Sequence, residues 1–289
     1  EAVTLCKRLA EQCDVVVENF RPGVMHRFGL DYAVFKQVNP KLVMCSISGY
    51  GQTGPEATRA AFAPIVQATS GYELVTQRAQ KGHTKPMNMG LPVGDTGASL
   101  QAFGAIVAAL FYRERTGIGQ YIDIAMQDTL LATMHKDFQA AFNHEMNDRH
   151  YGPLETQDGF IIVIPLTQQH FEDAMHLISR EDLLSEPKFS TTTARVYNYD
   201  DLQDEIEKWT RTRLSAEALA EFESKQLPCA DYRSIRDLEG DPQLKHRGMF
   251  AEITDRFGPL KVPNSPFLFS ETQAAVRPTV AAIGENNFD

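Results

Sequence analysis

The chain has 289 residues, enough for one large domain or two, and its 43% apolar and 23% charged content is that of an ordinary globular protein. A net charge of −10 argues against non-specific nucleic-acid binding, and no apolar run approaches the roughly 18 residues expected of a membrane span. The four cysteines, Cys6, Cys13, Cys45 and Cys229, form no CxxC pair and no cluster with histidine, so no metal site is expected and a reducing cytoplasm fits.

Residues 2–12 have helical apolar spacing, with Val3, Cys6, Leu9 and Ala10 on one side. Asp14-Val-Val-Val-Glu18 reads as a buried parallel strand. Pro22 and Gly29 bracket a short helix, and another covers about 31–38 before Pro40. The next strand is Leu42–Ile47, and this helix–strand alternation indicates an α/β fold with a parallel sheet. A polar loop at 49–60, a helix at 62–71 and a surface loop at 77–93 follow. A long apolar helix runs from Ala98 to Thr116-Gly117, then a strand at 119–124 and a helix at 127–145. Beyond it come a strand at 159–164, mostly helical sequence at 168–225 with starts at Ser215 and at Asn198 or Asp200, and a strand at 228–233. We read 152–235 as a smaller second domain, after which the chain returns through 249–253 and 260–262. The chain opens inside a helix-like run and stops without a terminal element, which reads as a fragment.

Two segments carry candidate chemistry. Asn19, Phe20 and Arg21 follow the first strand, with Arg27 within two helical turns. Strand carboxyl ends are where open α/β sheets bind ligands, and Asn can hydrogen-bond a base or amide, Phe can stack and Arg can pair with phosphate. There is no GxGxxG fingerprint in a strand–turn–helix setting, so a dinucleotide site is not supported. Asp95, in Val93-Gly-Asp-Thr-Gly97, stands just before the long apolar run. A carboxylate there can cap the helix, and the flanking glycines leave room for another molecule. It also suits covalent acyl chemistry: it can attack a thioester to form a mixed anhydride, which the released thiolate attacks in turn. His83, His144 and His150 read as surface residues, Asp123 and Asp128 as structural, and 200–207 as a solvated acidic helix face.

Taken together in order, these segments resemble the family III CoA-transferases. The similarity runs through Asp14–Leu30, Asn39–Val43, Ser46–Pro55, Gln67–Gly71, Gly94–Gly97, Arg115–Asp123 with Met126-Gln-Asp128, Leu227–Ala230, Asp241–Leu244 with Arg247, and Val262–Pro266. It implies an α/β fold: a Rossmann-like parallel-sheet large domain at 1–126 built from both chain ends, a linker helix at 127–151, a small α+β domain at 152–235, and a return segment at 236–289. It further implies coenzyme A as acyl-CoA substrate, a carboxylic acid acceptor and an interlocked homodimer. Asp95 matches the catalytic aspartate. Asn19, Phe20 and Arg27 match positions that hold the CoA nucleotide; Arg59, Ala61 and Phe62 match a further CoA-contacting stretch; Met126 matches a position beside the CoA chain. The family's opening strands and a C-terminal helix have no counterpart in this sequence. Residues 151–156 are not the glycine-rich loop of formyl-CoA transferases, which points away from oxalate and formate.

The related α-methylacyl-CoA racemases share the aspartate but need acid and base groups on both faces of the α-carbon. Where that pattern has a histidine and a glutamate, this chain has Phe62 and Gln168, neither of which exchanges protons near neutral pH. CoA transfer is therefore the preferred reading, with racemase-type proton transfer or an inactive, binding-only homologue as alternatives. Arg59, Arg78, Lys81, Lys85 and Arg233 are the cations available to pair with a dicarboxylate.

Overall fold

The computed structural model describes residues 1–80, 82–142 and 151–285. The chain divides into two compact units, Glu1–Gly152 with Ser185–Gln203, and Pro153–Leu184 with Asp204–Asp289.

The first unit is built on a parallel sheet of β1 (Val15–Glu18), β2 (Val43–Ser48) and β3 (Tyr121–Ala125), in the order β1-β2-β3. This bears out the α/β reading. Val15, Val16 and Val17 suit β1 because branched side chains pack on a pleated surface. As the central strand, β2 is buried on both faces. On one face α1 (Ala2–Gln12), the short α2 (Val24–Arg27) and α3 (Tyr32–Val38) enclose Ala10, Leu30, Phe35, Leu42 and Met44. Each fully buried Leu or Met contributes about 1.5–3 kcal/mol. Asn39 closes the corner by donating from Nδ2 to the carbonyls of Ala10 (3.0 Å) and Cys13 (3.1 Å), which the end of α1 leaves unbonded.

The other face is covered by α4 (Ala63–Thr69), α6 (Val93–Thr116) and α7 (Met126–Thr133). The single helix expected at 62–71 is shorter: Ser70 ends it, and Gly71, at φ +87°, starts α5 (Tyr72–Arg78) inside the segment read partly as loop. The long helix starts at Val93, five residues before the expected Ala98, and ends as expected at Gly117. Within α6, Gly94, Ala98, Ala102 and Ala109 are buried while Leu100, Val107 and Phe111 are exposed. Small side chains on one stripe let the helix lie close to its neighbours. By length and composition α6 could cross a membrane, contrary to the absence of such a run inferred from the sequence. Here it lies on β2, β3, α4 and α7, and Arg113 near its end bonds Asp14 at 2.8 Å. The helix expected at 127–145 is two, α7 and α8 (His135–Phe142), broken at Met134. His144, His150 and Lys81 lie outside the described residues.

In the second unit, β4 (Leu154–Glu155), β5 (Phe160–Val163) and β6 (Cys229–Asp231) pair antiparallel. Against β5 and β6 packs α12 (Ser215–Ser224), which also contacts α9 (Gln168–Leu177), and Ile161, Val163, Phe171, Met175 and Phe222 are buried. Between these helices in sequence lie α10 (Thr192–Tyr197), which belongs to the first unit, and α11 (Tyr199–Thr210), which belongs to it as far as Gln203 and starts next to Asn198 as the sequence suggests. After α13 (Pro242–His246), β7 (Phe250–Asp255) and β8 (Gly258–Pro263) form a hairpin.

Candidate active site

The site begins where three parallel strands end. β1 ends at Glu18 and is followed by Asn19, Phe20 and Arg21; β2 ends at Ser48; β3 runs directly into Met126. Open α/β sheets bind ligands outside these carboxyl ends. Asn19 donates from Nδ2 to the Ile47 carbonyl at 2.7 Å, tying the first of these segments to the second. Phe20 is exposed, and its N–H donates to the Glu18 carboxylate at 2.7 Å. Arg27 is exposed and folds back beside Gly23, which has φ +82°. Arg21 lines a cavity of about 270 Å³ with Glu18, His26, Asp31, Ser46 and Tyr121 among its walls.

A second group surrounds the start of α6. Gly49, just after β2, must lack a side chain because a Cβ there would overlap that of Ala61. Close approach at this point draws the segment carrying Arg59, Ala61 and Phe62 against the strand end. Phe62 stands at the start of α4 and is 74% exposed, an open apolar face for a ligand. Arg59 pairs with Glu56 at 2.9 Å and lies over the Tyr50 ring at 5.4 Å, and the Glu56 contact raises its already high pKa.

Asp95 is exposed, but it is not the helix cap that the sequence suggested. Pro92 occupies the cap position, no side chain caps the helix, and Asp95 is its third residue. The reason is the glycines around it. Gly94 sits against Met126 and Leu130, and a Cβ on Gly97 would lie 2.9 Å from Thr129 Cγ2. Packing this close against α7 carries the helix back past Asp95 to Val93. Val66, Ala98, Met126 and Leu130 form the apolar floor beneath, with Tyr50, Ala61 and Val93 at its edge. Met126 is thus 4% exposed, a buried support under the start of α6. Among the described residues, nothing hydrogen-bonds to the Asp95 carboxylate, although the positive end of α6 favours a negative charge there. The thiol nearest in kind to a competing nucleophile, Cys45, is fully buried in β2, and burial with Glu18 and Asp123 nearby pushes it up to about 11. It stays a neutral thiol.

Two contributors were not singled out from the sequence. Gln67, 2% exposed in α4, accepts a long bond (3.5 Å) from the Gly94 N–H through Oε1. Tyr50 supports Arg59 and bonds Thr69 at 3.3 Å. Gln67 lies in a segment that resembles the family, but only the packed structure shows which atom it holds. Asp128 is an exposed first-turn residue of α7, while Asp123 accepts the Gln52 N–H at 2.9 Å. Gln168 begins α9 and bonds Glu172 at 2.8 Å. Arg233 is committed to Asp241 at 2.6 Å.

The start of α6 and the strand ends thus present an exposed carboxylate together with exposed basic and aromatic side chains. A family model described as CoA-transferase family III matches residues 1–287. The chain belongs to the CoA-transferase family III. It is similar to the succinate–glutarate CoA-transferase of Agrobacterium fabrum, 29% identical over 99% of this chain and 74% of that protein. It is also similar to the succinyl-CoA:glutarate CoA-transferase of Mus musculus, 29% identical over 93% of this chain; the match spans 64% of the mouse protein's length. Among solved structures, a CaiB/BaiF family protein from Brucella suis shares the fold with a TM-score of 0.80 and 29% identity, covering 98% of this chain and 76% of that one.

Proposed function

We propose that this protein moves CoA from a dicarboxylic acyl-CoA to a carboxylic acid acceptor, through covalent intermediates on Asp95. Family membership supports CoA transfer, and the names of the Agrobacterium and mouse relatives support succinyl-CoA as donor and a dicarboxylic acid such as glutarate as acceptor. The observation that carries the mechanism is the Asp95 carboxylate, exposed at the start of α6 with no described group bonded to it.

An Asp95 oxygen attacks the thioester carbonyl, the C–S bond breaks, and CoA leaves as thiolate from a mixed anhydride. The thiolate then attacks the Asp95 carbonyl, releasing the donor acid as carboxylate and leaving an aspartyl-CoA thioester. The acceptor carboxylate attacks this thioester, regenerating thiolate and a second anhydride. Thiolate attack on the acceptor's carbonyl gives the new acyl-CoA and restores Asp95. No step needs a net proton, consistent with a site whose flanking Phe62 does not titrate. Asn19, Phe20, Arg21, Arg27, Arg59, Ala61 and Phe62 would anchor CoA, and that anchoring keeps the thiolate at high effective concentration. Met126 would act from beneath, shaping the floor on which the aspartate stands.

The exposed Leu100, Val107 and Phe111 on α6 support a homodimer that covers this face, since large apolar patches mark association sites. Cys6 and Cys13 are exposed and free, which fits the cytoplasm.

Trapping tests the mechanism: the protein is incubated with succinyl-CoA, hydroxylamine is added, and Asp95 is examined by mass spectrometry for a hydroxamate. Absence of the adduct from active wild-type protein would sink the covalent route. Exchange of the substrate α-proton in deuterated water without CoA transfer would favour the racemase chemistry instead.

A further inference from the structure

We infer that Glu73 is a positioning residue for Asp95, which it reaches through the segment joining α5 to α6; the inference rests on the catalytic reading of Asp95 above. Glu73 is the second residue of α5 and is only 9% exposed. A carboxylate is costly to bury unless it is hydrogen-bonded, so its position calls for an explanation. One part is the helix start, where negative charge is favoured. The other is its partner. Oε1 of Glu73 accepts from Asn88 Nδ2 at 2.8 Å, and Asn88 in turn accepts the Gly90 N–H through Oδ1 at 2.8 Å. The Glu73 carbonyl also accepts the Met87 N–H at 3.4 Å, and Gln77, one turn along α5, donates to the His83 carbonyl at 2.9 Å.

These bonds tie the connecting segment to α5 at His83, Met87 and Asn88. From Gly90 only Leu91 separates the clamp from Pro92, which occupies the cap position just before α6. The Pro92 carbonyl accepts the Thr96 N–H at 3.0 Å, closing the first turn around Asp95. Glu73 therefore fixes the entry to the turn on one side, while Gln67 holds the Gly94 N–H from the other. Neither touches the reacting carboxylate. Their effect is on its place, and a nucleophile displaced by about 1 Å can lose on the order of 100-fold in rate.

The test uses Glu73→Ala, Glu73→Gln, Asn88→Ala and the double variant Glu73→Ala/Asn88→Ala, assayed with succinyl-CoA and glutarate and by amide hydrogen exchange over residues 86–96. Loss of the clamp in Glu73→Ala is expected to speed exchange there and to lower kcat about tenfold, with KM for succinyl-CoA held within about twofold. Gln can still accept from Asn88, so Glu73→Gln restores kcat to within about twofold. The double variant is expected to lose no more than Glu73→Ala alone, because both changes cut one connection. Asn88 is exposed, so Asn88→Ala carries the same comparison if Glu73→Ala does not fold. Unchanged exchange, a rise in KM at constant kcat, or Glu73→Gln as impaired as Glu73→Ala overturns the inference. Wild-type transfer matched by Glu73→Ala overturns the inference alone. A wild type that transfers CoA with no adduct on Asp95 overturns the covalent mechanism, and the inference falls with it.

Discussion

The two units of this molecule hold carboxylates in contrasting surroundings. In the second, Asp158 is bonded: its Oδ1 accepts from the Ser215 N–H (2.7 Å), Ser215 Oγ (2.8 Å) and Thr156 Oγ1 (3.2 Å), and Arg180 pairs with both Asp182 and Glu205. In the first, the sheet's carboxyl ends and the start of α6 present Phe20, Arg27, Phe62 and Asp95 to solvent. Bonded carboxylates hold a fold together, whereas an exposed one at a helix start is available to a substrate. Asp158 and Asp95 are the same residue type in contrasting surroundings, and that contrast supports placing the proposed chemistry in the first unit.

The comparison breaks most readily at Asp95. Asp95→Ala should lower CoA transfer by about 10⁴-fold or more while leaving the melting temperature nearly unchanged, as removal of a covalent nucleophile does. A variant with wild-type transfer, or with a lost fold, would make Asp95 structural. The counterpart in the second unit is its core. Phe222 is fully buried, with Trp209 edge-on at 5.2 Å, and Phe222→Ala should cost about 3–5 kcal/mol in denaturant unfolding. Next comes Gly97→Ala, whose new methyl meets Thr129 Cγ2 at 2.9 Å; about 1–3 kcal/mol of overpacking is expected, accompanied by slower transfer as the start of α6 shifts. Loss of stability with unaltered transfer would show that Asp95 does not depend on this packing.

The smallest effects are in pH dependence. Asp31 accepts the Val34 N–H at the start of α3 (3.0 Å) and contacts His26 Nδ1 at 2.6 Å; the His26 bond is the larger cause of its lowered pKa. A carboxyl whose folded pKa lies below its unfolded value stabilises the fold above the unfolded value, about 3.9, and loses that contribution as pH falls through the folded one. Asp31→Ala should therefore cost about 1 kcal/mol at pH 7, with the difference from wild type closing in acid below roughly pH 4. Asp158, lowered first by the Ser215 N–H, has the same sign, so Asp158→Ala should lower the melting temperature at pH 7, with a gap that closes in acid and no change in transfer. Constant differences across the titration would mean these carboxylates act through packing.

Much of the fold was legible because it depends on local patterns. Runs of Val marked β1, Gly117 marked the end of α6, and helix–strand alternation marked the parallel sheet. Ordered motifs identified the family and singled out Asp95. Boundaries failed where tertiary packing overrode local signals. The start of α6 moved back to Val93 because Gly94 and Gly97 pack against Met126, Leu130 and Thr129, which are about 30 residues away in sequence. The helix expected over 127–145 broke at Met134, where the sequence offers neither Gly nor Pro.

For function, the sequence determined the residue types and their order: a carboxylate beside small residues, and Asn, Phe and Arg after a strand. Tertiary structure decided which of them are available. It buried Cys45 and Met126, left the Asp95 carboxylate without a described partner, and joined the ends of β1 and β2 through Asn19. The physical reason is distance along the chain. Secondary structure follows from neighbours within a few residues, whereas exposure and hydrogen-bond saturation depend on contacts such as Gln67 with Gly94, which only folding creates.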